Sequence, residues 1–95
     1  MKQDHIDKLI AHADAGRRIQ GVLDDPVFKA FFDSRIADET EHMIEASISD
    51  DDRRRHAAMT IKILRDLRTH LQNAVTIGNR ATAALDKAKE QANAT

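Results

Sequence analysis

The chain has no cysteine, no tryptophan and no tyrosine among its 95 residues. Without thiols it has no disulfide scaffold, no thiolate metal site and no cysteine nucleophile, and it suits a reducing compartment. Three phenylalanines are its only aromatic side chains, too few for a base-stacking surface or a strand-rich sheet. One proline and three glycines leave few turn formers, so long helices with few breaks are expected. Neither sign of charge dominates: Lys plus Arg number 15 and Asp plus Glu 16, a net charge of -1. That speaks against a generally basic nucleic-acid coat. No stretch approaches the roughly 18–20 apolar residues that span a bilayer, so no membrane partner is expected. The opening MKQDHIDKLI alternates charged and apolar residues and lacks the apolar core of a signal peptide. Hydrophobic residues are 41% and charged residues 33%, a globular rather than a disordered mixture. The length suits a single helical domain, 1–95, too small for a multidomain enzyme.

What the sequence does contain is helical period. From about residue 3 to 23, Ile6, Leu9, Ile10, Ala13, Gly16, Ile19 and Leu23 recur mostly at steps of three and four. Asp24-Asp25-Pro26 breaks the pattern: either aspartate can cap a new helix, and Pro26 suits its first turn. A second helix is predicted over about 26–47, with Phe28, Phe31, Phe32, Ile36, Met43 and Ile44 broadly on one face. The three phenylalanines are the expected centre of the core, each contributing roughly 1.5–3 kcal/mol if buried. Ser47 to Asp52 forms the next break, with Ser49 and Asp52 at capping-box spacing.

The third helix, over about 51–90, is the most informative. Thr60, Leu64, Leu67, Leu71, Ala74, Gly78, Ala81, Leu85, Ala88 and Ala92 keep a seven-residue repeat, the pattern of a coiled-coil seam. About 40 helical residues reach roughly 60 Å, whereas each earlier helix reaches roughly 32 Å. If both short helices lie on the first half of the long one, the stretch from about Ala74 onward has no partner within the chain. Leu71, Ala74, Gly78, Ala81 and Leu85 are therefore the candidate partner-binding residues. The apolar arc is also wide. Ala57, Ile61 and Val75 flank the seam on one side, Met59, Ile63 and Ile77 on the other. Flanking helices of the same chain explain most of that width, and self-association the surplus. Arg55, Lys62, Arg65, Thr69 and Gln72 form the solvated stripe opposite. The expected fold is all-α: a three-helix bundle or hairpin with a long C-terminal helix, extending to a coiled-coil oligomer.

Motifs for chemistry are sparse. Glu39-x-x-His42 has the spacing of di-iron bundle ligands, but it occurs once, and a complete site would need other chains. The bland alternative is a solvated acidic patch of Glu39, Glu41 and Glu45. No Gly-x-Ser-x-Gly, P-loop or Gly-x-Gly-x-x-Gly is present. No catalytic residue, metal or cofactor is assigned, and no enzyme activity is expected. Arg53, Arg54 and Arg55, with Lys62, Arg65 and Arg68, could form a strip for phosphate or an acidic partner. Three aspartates directly before the arginines weaken its field.

Several elements also occur together: Ala15-Gly16-Arg17-Arg18, Leu23-Asp24-Asp25-Pro26-Val27-Phe28-Lys29-Ala30-Phe31-Phe32, the acidic turn Asp50-Asp51-Asp52 followed by Arg53 and Arg54, the leucine-rich run from Ile61 to Leu71, and Gly78, Ala81 and Leu85. This combination, over about residues 13–88, resembles small helical proteins of tailed bacteriophages encoded among head and DNA-packaging genes. The resemblance implies a structural or assembly role in the virion or the host cytoplasm. It implies a protein partner too, either a second copy in a homo-oligomer or a capsid, portal or packaging component. A nucleic-acid-binding accessory using the Arg53 to Arg55 cluster is one alternative, and a small inhibitor of a host protein the other.

Overall fold

A computed structural model describes residues 2–94. Among them the chain is all-α, with three helices: α1 (Gln3–Asp24), α2 (Pro26–Glu45) and α3 (Asp51–Ala94). Capping chemistry sets the breaks. Asp25 alone separates α1 from α2, and its carboxylate accepts from the backbone N–H groups of Val27 (2.8 Å) and Phe28 (3.1 Å). Two donors at the start of α2 that have no partner within the helix are thereby satisfied, with Pro26 as its first residue. At the second break α2 stops at Glu45, short of the expected 47, and the Ala46 N–H closes the last turn on the His42 carbonyl. Asp50, not Ser49, caps α3: its Oδ1 accepts from the Arg53 N–H at 3.1 Å. Asp51 and Asp52 follow in the first turn, where negative charge favours the helix N-terminus.

Two compact units divide the chain. One holds the residues up to Leu23 with those from Leu71 onward; the other is Asp24–His70. This corrects the sequence-based expectation that both short helices share the first half of α3. In the first unit α1 lies against the far stretch of α3, which therefore has a partner within its own chain. A Cβ on Gly16 would come 2.8 Å from Gly78 Cα, and one on Gly78 would come 2.9 Å from the His12 carbonyl oxygen. Two backbones that close leave no room for a side chain on either residue. Around the crossing Ala13, Val75 and Ala81 are buried. Leu71, Ala74, Leu85 and Ala88 are half-buried. The sequence pattern expected to await an outside partner is the seam that seats α1, because small residues at helical spacing suit close approach within a chain as well as between chains.

In the second unit α2 packs antiparallel on the first stretch of α3, as the short link Ala46 to Asp50 requires. Phe32 is 3% exposed, and Ala57 and Ile61 are buried opposite. Phe28 and Phe32 meet with ring centroids 5.4 Å apart. The Arg68 guanidinium lies 5.6 Å from the Phe32 ring centroid, a cation–π arrangement, and its Nη1 is 3.8 Å from Asp33 Oδ1. Phe31 departs from the expected core: it is 64% exposed. The α3 seam also differs here from the expected one. Ala57, Ile61, Leu64 and Arg68 face inward, while Leu67 is exposed. One neighbouring helix covers only about 100° of arc, so the seam slides toward the Ala57 and Ile61 side and leaves the other side open.

Candidate docking surface

That open side carries several exposed large apolar side chains of the second unit. Ile63 is 63% exposed and Leu67 46%, and Met59 is exposed on the same helix. From α2, Val27 and Phe31 are exposed. Helix geometry brings the two sets together. Phe31 directly precedes the inward Phe32, and Val27 the inward-leaning Phe28. Likewise Ile63 precedes Leu64, and Leu67 precedes Arg68. Each exposed residue is thus turned about 100° backward from its helix's inner stripe. Because the two axes run in opposite directions, equal turns emerge on the same side of the pair. Val27, Phe31, Ile63 and Leu67 therefore share one face, with Met59 at its outer edge.

The basic residues proposed from sequence are not one strip. Arg54 is turned back onto the α2–α3 link, where its guanidinium donates to the carbonyls of Ser47 and Ile48 (2.6 Å for the latter) and pairs with Asp51. It holds the turn, and a ligand would have to displace it. Arg55 lies 4.0 Å from Asp52, and Lys62 pairs with Asp66 at 2.9 Å. Such exposed pairs are worth little and re-form readily with other partners. Arg53 and Arg65 are exposed. The partner residues proposed from sequence fare differently. Gly78 and Ala81 are buried, and Leu71, Ala74 and Leu85 are half-buried, so an incoming helix would first have to remove α1.

Glu39 also corrects the sequence reading. It is not part of a solvated patch: it is 4% exposed and sits on the inner stripe of α2 among Phe32, Ile36 and Met43. Its carboxylate pairs with Arg35 at 3.0 Å and lies 3.7 Å from His42 Nδ1. Glu41 and Glu45 remain exposed. Among the described residues no group of three or more His, Cys, Asp or Glu could hold a metal ion. No helix among them is long and apolar enough to cross a membrane.

No family model matches the chain, and neither a curated protein nor a solved structure matches it. Its surface is therefore the ground for a functional reading. Sequence reasoning placed the docking residues on the far stretch of α3, in the first unit, whereas the exposed face of Val27, Phe31, Ile63 and Leu67 belongs to the second. The available signal was the surplus arc, since Met59 and Ile63 flank the repeat on the side that no helix of the unit takes.

Proposed function

We propose that this chain is a non-enzymatic interaction protein that works by docking helices onto another protein surface. The single observation that carries this reading is the open apolar face of Val27, Phe31, Ile63 and Leu67. Large apolar side chains of one unit gathered on one face mark an interaction site more often than a scattered surface does. The resemblance to small helical phage proteins supports a place in the particle or its assembly, with a capsid, portal or packaging component as docking target. Mass spectrometry of purified particles checks that context, and absence of the chain would remove it.

Dye binding tests the face itself. Dilute chain is expected to enhance the fluorescence of an apolar probe such as anilinonaphthalene sulfonate. Ile63→Gln with Leu67→Gln should abolish most of that signal while leaving the circular dichroism helical. A wild-type chain that binds no dye at any dilution would refute the docking reading.

A further inference from the structure

We propose that the side of the second unit turned away from Phe31, Ile63 and Leu67 binds the phosphate backbone of duplex DNA, through Lys29 of α2 and Arg55, Lys62 and Arg65 of α3. This second surface does not depend on what occupies the apolar one. Three observations carry it.

The first is the side on which each cation emerges. Lys29 directly follows the inward-leaning Phe28, and Arg55, Lys62 and Arg65 directly follow Arg54, Ile61 and Leu64. Each is turned about 100° forward from the inner stripe of its helix. Because the axes are antiparallel, equal forward turns come out on one side of the pair, opposite to the apolar residues, which are turned backward. The arginine cluster of the sequence is thereby dispersed. Arg53 precedes an inward residue and emerges on the apolar side, Arg54 is held at the link, and Arg55 alone joins Lys62 and Arg65. Lys29, distant in sequence, completes the set.

The second is the charge left over. Residues 51–70 of α3 carry six basic and three acidic residues, a net charge of +3. Asp33 is met by Arg68 at 3.8 Å and Asp51 by Arg54, so arginines at the inner edge answer these two acids. Asp52 and Asp66 lie further round, in exposed pairs with Arg55 (4.0 Å) and Lys62 (2.9 Å), which cost little to exchange. Lys29 and Arg65 have no ion-pair partner among the described residues. On the apolar side, by contrast, Arg35 and Arg53 are balanced by Asp38 and Glu45.

The third is reach without anchors. Arg55, Lys62 and Arg65 stand at steps of seven and three residues, rises of about 10.5 and 4.5 Å. Arg68 over Phe32 sets the antiparallel level of the two helices, which puts Lys29 about 9 Å beyond Arg65. The four cations thus spread over about 24 Å, the length of about seven phosphates of one duplex strand. Ala37, Ala58 and Thr69 share this side and are small enough to let a backbone come close. Protein partners are held through aromatic and apolar anchors, and the large apolar residue here is Ile44 alone. No aromatic residue emerges on this side, so bases have nothing to stack on. A row of phosphates needs only the cations, which favours duplex DNA read without sequence preference.

Fluorescence polarisation of the full chain with short labelled duplexes of two unrelated sequences tests the proposal. Equal affinity for both is expected, falling about a hundredfold between about 50 and 200 mM salt, as four phosphate contacts require. Lys62→Gln with Arg65→Gln should weaken binding at least about tenfold at low salt and lower the salt slope by about two. Lys29→Gln, on the other helix, should lower it by about one. Arg53→Gln and Ile63→Asp should leave affinity and slope unchanged, and circular dichroism should show every variant helical. No binding at about 50 mM salt overturns the proposal. So does binding that neither cation variant weakens, or that Arg53→Gln weakens as much. Tighter binding of polyglutamate than of a duplex of equal charge also overturns it, in favour of an acidic protein partner.

Discussion

Three residues show how position decides what a side chain is worth. Gly16, Gly21 and Gly78 all lie inside helices, where glycine costs about 1 kcal/mol against alanine. A Cβ on Gly21 meets nothing within 4 Å, so Gly21→Ala should stabilise the chain by about 0.5–1 kcal/mol. Gly78→Ala should do the opposite. Its methyl would press on the backbone of α1 at Gly16 and His12, which cannot rotate away as a side chain would. Overpacking of that kind costs about 1–3 kcal/mol, more than the propensity gain. Chemical denaturation of both variants checks the pair of signs. Glu39 gives a third case. Its partner Arg35 has a side chain 48% exposed, so Arg35 can return to water if the carboxylate is removed. Glu39→Met should therefore be neutral or stabilising by about 1 kcal/mol, since it swaps a buried carboxylate for an apolar side chain on the inner stripe of α2. A fall of several degrees in melting temperature would show that the carboxylate holds the unit together.

Helices here begin and end where local chemistry dictates. Asp25→Ala removes the acceptor of two N–H groups and should cost about 0.5–2 kcal/mol. The effect belongs to α2 alone, so hydrogen exchange should quicken at its first turn and not in α1. Arg54 plays the comparable part at the α2–α3 link by tying Ser47 and Ile48 to the start of α3. Arg54→Ala should destabilise by about 1 kcal/mol and speed exchange or proteolysis at Ser47 to Asp50. Arg55→Ala should leave that link unchanged. The contrast between neighbouring arginines separates a structural guanidinium from a surface one.

Over the whole molecule, the apolar side chains left exposed outnumber the large ones that are buried. Only Phe32, Ile61 and Val75 among the buried apolar residues are larger than alanine, while ten large apolar side chains are exposed among the described residues. A chain so constituted gains stability by mass action when its open face is covered. Its melting temperature should therefore rise with the concentration of an added apolar probe such as anilinonaphthalene sulfonate, and the rise should vanish in Ile63→Asp, with little change in the melting temperature when no probe is added. Scanning calorimetry over a hundredfold range of probe concentration checks both statements. A transition independent of probe concentration in the wild type would mean that covering the open face adds nothing to stability.

The sequence by itself determined the three helices and their breaks. Asp25-Pro26 and the Ser47 to Asp50 turn act within a few residues, so their effect is legible without knowing the fold. The repeat through Leu71, Gly78 and Leu85 likewise marked a helix–helix seam. Tertiary structure alone decided who sits in it. The apolar arc of α3 is wider than one neighbour can cover, so composition and period fit several placements equally well. Backbone contact at Gly16 and Gly78 assigned α1 to the far stretch of α3. That left α2 with the near one, turned Phe32 and Glu39 inward, and left Phe31, Ile63 and Leu67 facing out. Periodicity reports which faces are apolar; only the packing of whole helices decides which of those faces stay open.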